Sequence, residues 1–350
     1  MKNRIKQNII LIVVGLISIL LALELIVRKF NLAPSVIENV GVYHVVDNPK
    51  IVYGLTPGAK LYGDIINKQG FRGRDFVMQK LANVIRIVML GDSITEGMKI
   101  PLEKTFSYKL EVLLNQKAYE QKSNLKYEVM NFGVGGYNLE AEAELLRTEV
   151  IKYLPDIVIE NLASNDNEPI PGMHLWFVYD NRLTDKQKLF IYNKYFIKRA
   201  FVINFISKKI LYKSKLFLFL MDRFGALNER IDRLRVFIKK NYVPDTRSAG
   251  LDIMFKHLSE IEKLREKYNF KFLVCIQSQL DKEEHPNNKE YARLVEKLNF
   301  RYFFTNKYYE NPSLLTLEDK DLVHLNELGH SIVAEAMFEE LKRNNFINLQ

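Results

Sequence analysis

The stretch "IRIVMLGDSITEG", residues 85–97, decides the fold. Residues 85–90 form an apolar run rich in β-branched side chains, the pattern of a buried strand. Gly91-Asp92-Ser93 then reads as a turn that opens a helix. Ser93 has two readings at this point. It can cap the helix, as serine often does, or it can be a nucleophile held at the end of a strand. The string alone leaves both open.

Four more runs of the same kind occur at residues 127–132, 157–162, 270–276 and 300–304. Between and after them lie helical patterns at 105–119, 139–153, 251–268, 289–298 and 327–343. Strands that alternate with helices predict an α/β fold with a five-stranded parallel sheet and helices on both faces. Two segments fall outside the alternation. Residues 31–83 carry turn signals and little helical period, as expected for a stalk or an added β-rich layer. Residues from about 168 to 250 mix aromatic and basic side chains with few acids, and read as a helical insertion between the third and fourth strands.

The bulk composition agrees with a globular chain. Among 350 residues, 47 % are hydrophobic and 27 % charged, which excludes a disordered polymer and allows a large core. The net charge of +9 favours acidic neighbours, such as nucleic acid, anionic lipid or an acidic polymer. The N-terminus narrows that choice. Residues 9–23 are uncharged, and Leu25-Ile26-Val27 continue the apolar run after Glu24, giving the roughly 20 residues that a bilayer needs. Lys2, Arg4 and Lys6 precede the run, which places the N-terminus in the cytoplasm and the rest of the chain outside it. No small-x-small cleavage site precedes Arg28, so an uncleaved anchor is expected rather than a signal peptide. The expected organisation is a cytoplasmic tail at 1–8, a transmembrane anchor at 9–28, an extracytoplasmic stalk or added layer at 29–84, and the α/β domain at 85–345 with its insertion at about 168–250. Outside the cytoplasm nucleic acid is not an expected partner. The single cysteine, Cys275, cannot form a disulfide within the chain and reads as a buried core thiol.

An open parallel sheet binds its ligands beyond the carboxyl ends of its strands. Four polar stretches lie there: Gly91-Asp92-Ser93, "NFGVGGYN" at 131–138, "ASNDN" at 163–167 and "DLVHLNELGH" at 321–330. Together they supply the parts of a serine hydrolase. Ser93 attacks, His324 takes and returns its proton, and Asp321 orients the imidazole. The backbone N–H groups of Ser93 and Gly136 and the side-chain amide of Asn165 form the oxyanion hole.

These stretches resemble the blocks of the SGNH (GDSL-type) hydrolases, and the resemblance covers residues from 85 to about 343. "GDSITEG" is similar to the first block, "NFGVGGYN" to the second, "ASNDN" to the third and "DLVHLNELGH" to the last. One departure is Ala163, where the third block commonly has glycine. The resemblance implies a flavodoxin-like three-layer sandwich, and the anchor with "GFRGRDF" and "GYN" further resembles membrane-tethered bacterial members. It implies an esterase that removes O-acyl, chiefly acetyl, groups from a cell-surface glycan or a lipid-like ester. Two alternatives stay open: an O-acyltransferase that uses the same triad, and a non-catalytic glycan-binding membrane scaffold.

Other motifs carry less. "GVGG" is not a dinucleotide loop, because Asn138 stands where the last glycine is required. No H-E-x-x-H and no cysteine pair argues for a metal, and no cofactor is expected. His330 has no assigned partner and reads as a solvated or packing histidine. Asn326 can cap the last helix. His174 and Trp176 can line a cleft at the mouth of the insertion or simply pack. The insertion either covers the sheet, rests on the anionic membrane surface or closes over Ser93.

Overall fold

The computed structural model describes residues 2–30, 32, 42–167 apart from 47, 49 and 52, then 214–217, 219, 220, 223, and 245–349 apart from 278, 279, 281–285, 319, 320 and 322. His174, Trp176 and most of the insertion lie outside the described residues. The chain divides into two units, one of Asn39–Met173 with Asp245–Gln350, the other of Met1–Glu38 with His174–Pro244.

The larger unit is built on a parallel sheet of five strands: β5 (Val84–Leu90), β6 (Lys126–Asn131), β7 (Ile157–Leu162), β8 (Lys271–Ile276) and β9 (Arg301–Phe304). Their spatial order is β6-β5-β7-β8-β9, the flavodoxin-like order in which the chain reverses direction beside its first strand. Every expected strand is present within a residue of its expected bounds. The register sets Met89 beside Asn131 and Leu90 beside Glu160. The turns after β5, β6 and β7 therefore emerge along one edge.

Helices cover both faces, giving three layers. Helices α3 (Phe106–Glu120) and α7 (Glu327–Arg343) bury Phe106, Leu110, Val333 and Met337 against Ile87, Met89, Ile159 and Cys275. The alternate strand residues Val88, Leu90, Val158 and Val274 are equally buried on the opposite side, where α4 (Leu139–Thr148), α5 (Asp245–Tyr268) and α6 (Pro286–Lys297) lie. Such strands read as near-continuous apolar runs because both faces are covered. Cys275 is a free, buried thiol, and burial pushes its pKa well above the ordinary range.

Two helix boundaries differ from expectation by more than three residues. The pattern at 139–153 ends as α4 at Thr148 and continues as a 3-10 turn, Val150–Tyr153. Pro155 follows Leu154, and a residue before proline is driven out of the right-handed helical region; Leu154 takes φ 52°. Helix α5 starts six residues early because Gly250 lies inside it rather than ending a loop. A Cβ at Gly250 would stand 2.4 Å from the Asn167 carbonyl, so glycine is used there for close approach.

Residues 42–83 form two small hairpins, β1 (Tyr43–Val45) with β2 (Tyr53–Leu55) and β3 (Lys60–Leu61) with β4 (Asp64–Ile65), packed into the same unit. Phe71 and Phe76 lie 4.5 Å and 5.0 Å from the Phe132 ring. The buried Arg86 of β5 fastens the layer to the sheet. Its guanidinium donates to the carbonyls of Val77, Met78, Gln79 and Tyr153 and to the Glu128 carboxylate.

In the smaller unit, α1 (Lys2–Lys29) is long and apolar enough to cross a membrane, and its apolar side chains from Ile9 to Leu21 stand exposed. Near its end Glu24 accepts hydrogen bonds from the Ser214 hydroxyl and from the N–H groups of Lys215 and Leu216. The carboxylate that interrupts the apolar run thus caps the first turn of a helical segment of the insertion.

Asn326 caps α7 by accepting from Leu328 and Gly329. His330, one turn later, is buried rather than solvated. Its Nδ1 accepts the Phe106 N–H at 3.1 Å, which satisfies an orphan donor at the start of α3. Its ring stacks on Phe106. Burial, reinforced by Arg72, Lys109 and His324, lowers its pKa from 6.5 to about 3. The unfolded chain binds a proton below pH 6.5 that the folded chain refuses until about pH 3, so stability falls through this window as pH falls. His330→Gln should flatten that part of a urea-unfolding pH profile. An unchanged slope between the two values would contradict the assignment.

Candidate active site

Strand β5 is followed by Gly91, whose φ of 148° no side chain adopts readily; a Cβ there would lie 2.2 Å from Thr95 Oγ1. Helix α2 (Ser93–Glu96) follows and is a single turn. Asp92 is its cap, accepting the Ile94 N–H at 2.9 Å. Ser93 is therefore the first helical residue and not the cap.

A single turn is not stable on its own, and tertiary bonds hold this one. The guanidinium of the fully buried Arg72 donates to the carbonyls of Glu96, Gly97 and Ile100 at 2.6–2.9 Å and pairs with Asp64. Asn131, at the end of β6, donates to the Thr95 carbonyl at 2.6 Å. Asn161, in β7, donates to Thr95 Oγ1 at 3.0 Å. Residues from the added layer and from both neighbouring strands thus fix the backbone under Ser93.

The Ser93 hydroxyl lies 2.8 Å from His324 Nε2, and His324 Nδ1 lies 2.9 Å from Asp321 Oδ2. A carboxylate only accepts, so Nδ1 carries the proton and Nε2 is left to accept from Ser93. The other carboxylate oxygen, Asp321 Oδ1, accepts the N–H groups of Val323 and His324. Partial burial opposes the charge on Asp321, yet these bonds and the imidazole outweigh it and hold its pKa below the ordinary carboxylate range. A bridge between Thr316 and Leu325, with the Leu317 N–H on the His324 carbonyl, fixes the loop.

Gly136 lies in the loop after β6 with φ 76°. From Gly133 to Tyr137 the N–H groups are paired, with one exception. Gly133 donates to Asn131 Oδ1, Val134 to the Gly91 carbonyl, Gly135 to Glu96 Oε2 and Tyr137 to the Val134 carbonyl. The Gly136 N–H alone in this run has no acceptor among the described residues. Asn165 Nδ2 donates to the Tyr137 carbonyl at 2.8 Å, and its side chain also interacts with the Asp92 carboxyl. It therefore links three of the four polar stretches. Ala163 needs no left-handed backbone, and its N–H is taken by Asp166 Oδ2. Alanine replaces glycine there without strain. Ser93, Gly136, Asn165, Asp321 and His324 are each partly exposed, while most of their neighbours are buried.

Several buried groups behind the site were not singled out from the sequence. Glu142, Glu160 and Asp166 are buried, and desolvation raises their pKa values, Glu160 to about 7. Burial also raises Asp92, against the Ile94 N–H and His324. Glu96 is raised to about 7 by burial although the Gly135 N–H and Arg72 favour its charge. Among the described residues no group of three or more His, Cys, Asp or Glu side chains could hold a metal.

No family model and no curated protein matches the chain. Solved structures resemble it at low identity. The acetyl xylan esterase AlAXEase is 17 % identical, with 73 % of this chain and 98 % of that chain covered and a TM-score of 0.41. Axe2, an acetylxylan esterase from Geobacillus stearothermophilus, is 14 % identical over 73 % and 94 %, at 0.42. TesA is 12 % identical over 74 % and 98 %, also at 0.42.

Arg72→Met should cost about 3 kcal/mol or more, because it leaves three carbonyls and Asp64 without their buried donor. Urea unfolding measures this, and a loss under about 0.5 kcal/mol, the range of an ordinary surface change, would contradict the role given to Arg72.

Proposed function

We propose that the protein is a serine esterase anchored in a membrane by α1, with its hydrolase unit outside the cytoplasm. The observation that carries the reading is the unbroken line from Ser93 Oγ through His324 to Asp321, at 2.8 Å and 2.9 Å. Ser93 Oγ attacks the ester carbonyl while His324 Nε2 takes its proton. The carbonyl oxygen becomes an oxyanion, held by the N–H groups of Ser93 and Gly136; the Asn165 amide, whose donors are given to the Tyr137 carbonyl and Asp92, joins them by exchanging one of those bonds for the oxyanion. Ser93, at the first position of α2, has an N–H with no partner inside the helix, and the Gly136 N–H has no acceptor among the described residues. As the intermediate collapses, His324 returns the proton to the departing alkoxide and an acyl-Ser93 remains. Water repeats the sequence, with His324 first taking its proton and then returning it to Ser93 as the acid leaves. Asp321, ionised well below neutral pH, stabilises the imidazolium formed in each half.

The substrate class is an O-acylated, chiefly O-acetylated, carbohydrate or a related ester at the cell surface. The sequence resemblance and the exposed apolar helix support that class and that location. An O-acyltransferase remains the second reading, because a sugar hydroxyl in place of water discharges the same acyl-serine. Product analysis with an added polyol separates the two.

Ser93→Ala should abolish turnover of p-nitrophenyl acetate without unfolding the protein. Asp321→Asn should lower kcat by about 10³- to 10⁴-fold, through loss of the tautomer that leaves Nε2 an acceptor. Turnover by pure Ser93→Ala at the wild-type rate would refute the assignment.

A further inference from the structure

We infer that Tyr53, in the small N-terminal layer, is a positioning residue for the oxyanion donor Gly136. The inference rests on the proposed role of the Gly136 N–H. The Tyr53 hydroxyl donates to the Gly135 carbonyl at 2.9 Å. That carbonyl and the Gly136 N–H belong to one peptide group. The group is planar and trans, so its C=O and N–H point in opposite directions, and holding one aims the other.

The clamp is needed because two glycines meet here. Gly135-Gly136 has no Cβ to restrict rotation of the peptide between them, and Gly136 sits at φ 76°. A flip of this one peptide would present a carbonyl oxygen where the oxyanion develops. Tyr53 Oη holds the carbonyl half, and Glu96 Oε2 accepts the N–H of the preceding peptide at 2.7 Å. On the far side the Tyr137 N–H is held by the Val134 carbonyl. The donation to the carbonyl also polarises the shared amide, which makes its N–H a stronger donor.

Tyr53 is itself fixed. It is fully buried, its carbonyl accepts the Tyr137 hydroxyl, and its ring meets those of Tyr43 and Tyr137 edge-on at 5.8 Å and 5.2 Å. The hairpin β1–β2 is in this sense part of the catalytic apparatus without touching substrate. A residue of the layer, far from Ser93 in sequence, sets the direction of a bond that acts only in the transition state.

Tyr53→Phe removes the hydroxyl and keeps the ring. Loss of a whole oxyanion donor costs about 10²- to 10³-fold in rate, and misaiming one should cost about 5- to 50-fold in kcat. KM for p-nitrophenyl acetate should stay within about twofold, as for an interaction made only in the transition state. Inhibition by phenylboronic acid, which forms a tetrahedral adduct on Ser93, should weaken by the same factor as kcat. A lowered melting temperature with unchanged kcat and boronate affinity would overturn the inference. If Tyr53→Phe does not fold, two ring-substituted phenylalanines at position 53 decide: 4-aminophenylalanine keeps a donor for the Gly135 carbonyl and should retain activity, whereas 4-methylphenylalanine fills the same space without one and should lose kcat as above. Equal activity of those two variants would overturn the inference as well. Wild-type protein that neither hydrolyses the ester nor forms the boronate adduct would instead refute the hydrolase reading beneath it.

Discussion

The site depends on one turn of backbone, Gly91 to Gly97, being held against its own tendency to unravel. A four-residue helix has no cooperative stability. Here its exposed carbonyls are satisfied by the buried Arg72 and by Asn131, and its second N–H, that of Ile94, is taken by Asp92. Gly91 and Gly133 permit the close approach on which this depends; a Cβ on Gly133 would lie 2.3 Å from the Glu96 nitrogen. With the turn fixed, the parallel register of β5 with β6 and β7 delivers the remaining loops to the same edge. The hydroxyl of Ser93 then meets a histidine from 231 residues further along the chain.

Much of this was legible in the sequence, for identifiable reasons. The sheet was readable because strands buried on both faces leave nearly continuous apolar runs, as in 157–162, where all six residues are buried. The residues that meet around Ser93 were readable because each polar stretch directly follows such a run or opens the last helix. The role of Ser93 was undecidable from its own segment, since the cap and the nucleophile require the same residue type. In the structure Asp92 takes the cap, and the Ser93 hydroxyl is left to meet His324. What escaped the sequence were contacts made at long range by residues of unremarkable type. Nothing local marks Arg72 as a buried staple, Tyr53 as a clamp on Gly135 or Glu96 as an acceptor. His330 looked unpartnered because its partner is a backbone N–H 224 residues away.

The layer at 42–83 changes how the molecule is divided. Read as sequence, it is a turn-rich segment with little period, either a stalk or an added β-rich layer. In three dimensions it supplies Tyr43, Tyr53 and Arg72 to the back of the first two polar stretches, and buries Phe71 and Phe76 against Phe132. Geometry at the site is thus set by residues on both sides of it in the chain. The buried carboxyls Glu142, Glu160 and Asp166 add a second constraint. Desolvation raises their pKa values and favours their neutral forms.

The central claim is that His324 and Asp321 activate Ser93, and reaction of the full-length protein with a fluorophosphonate tests it most directly. The serine oxygen would displace fluoride from phosphorus, and mass spectrometry of the digested protein would locate the label. Stoichiometric label on the peptide containing Ser93, lost in the Ser93→Ala variant, is the result predicted. A folded protein that takes up no label, or carries it on another residue, would contradict the account.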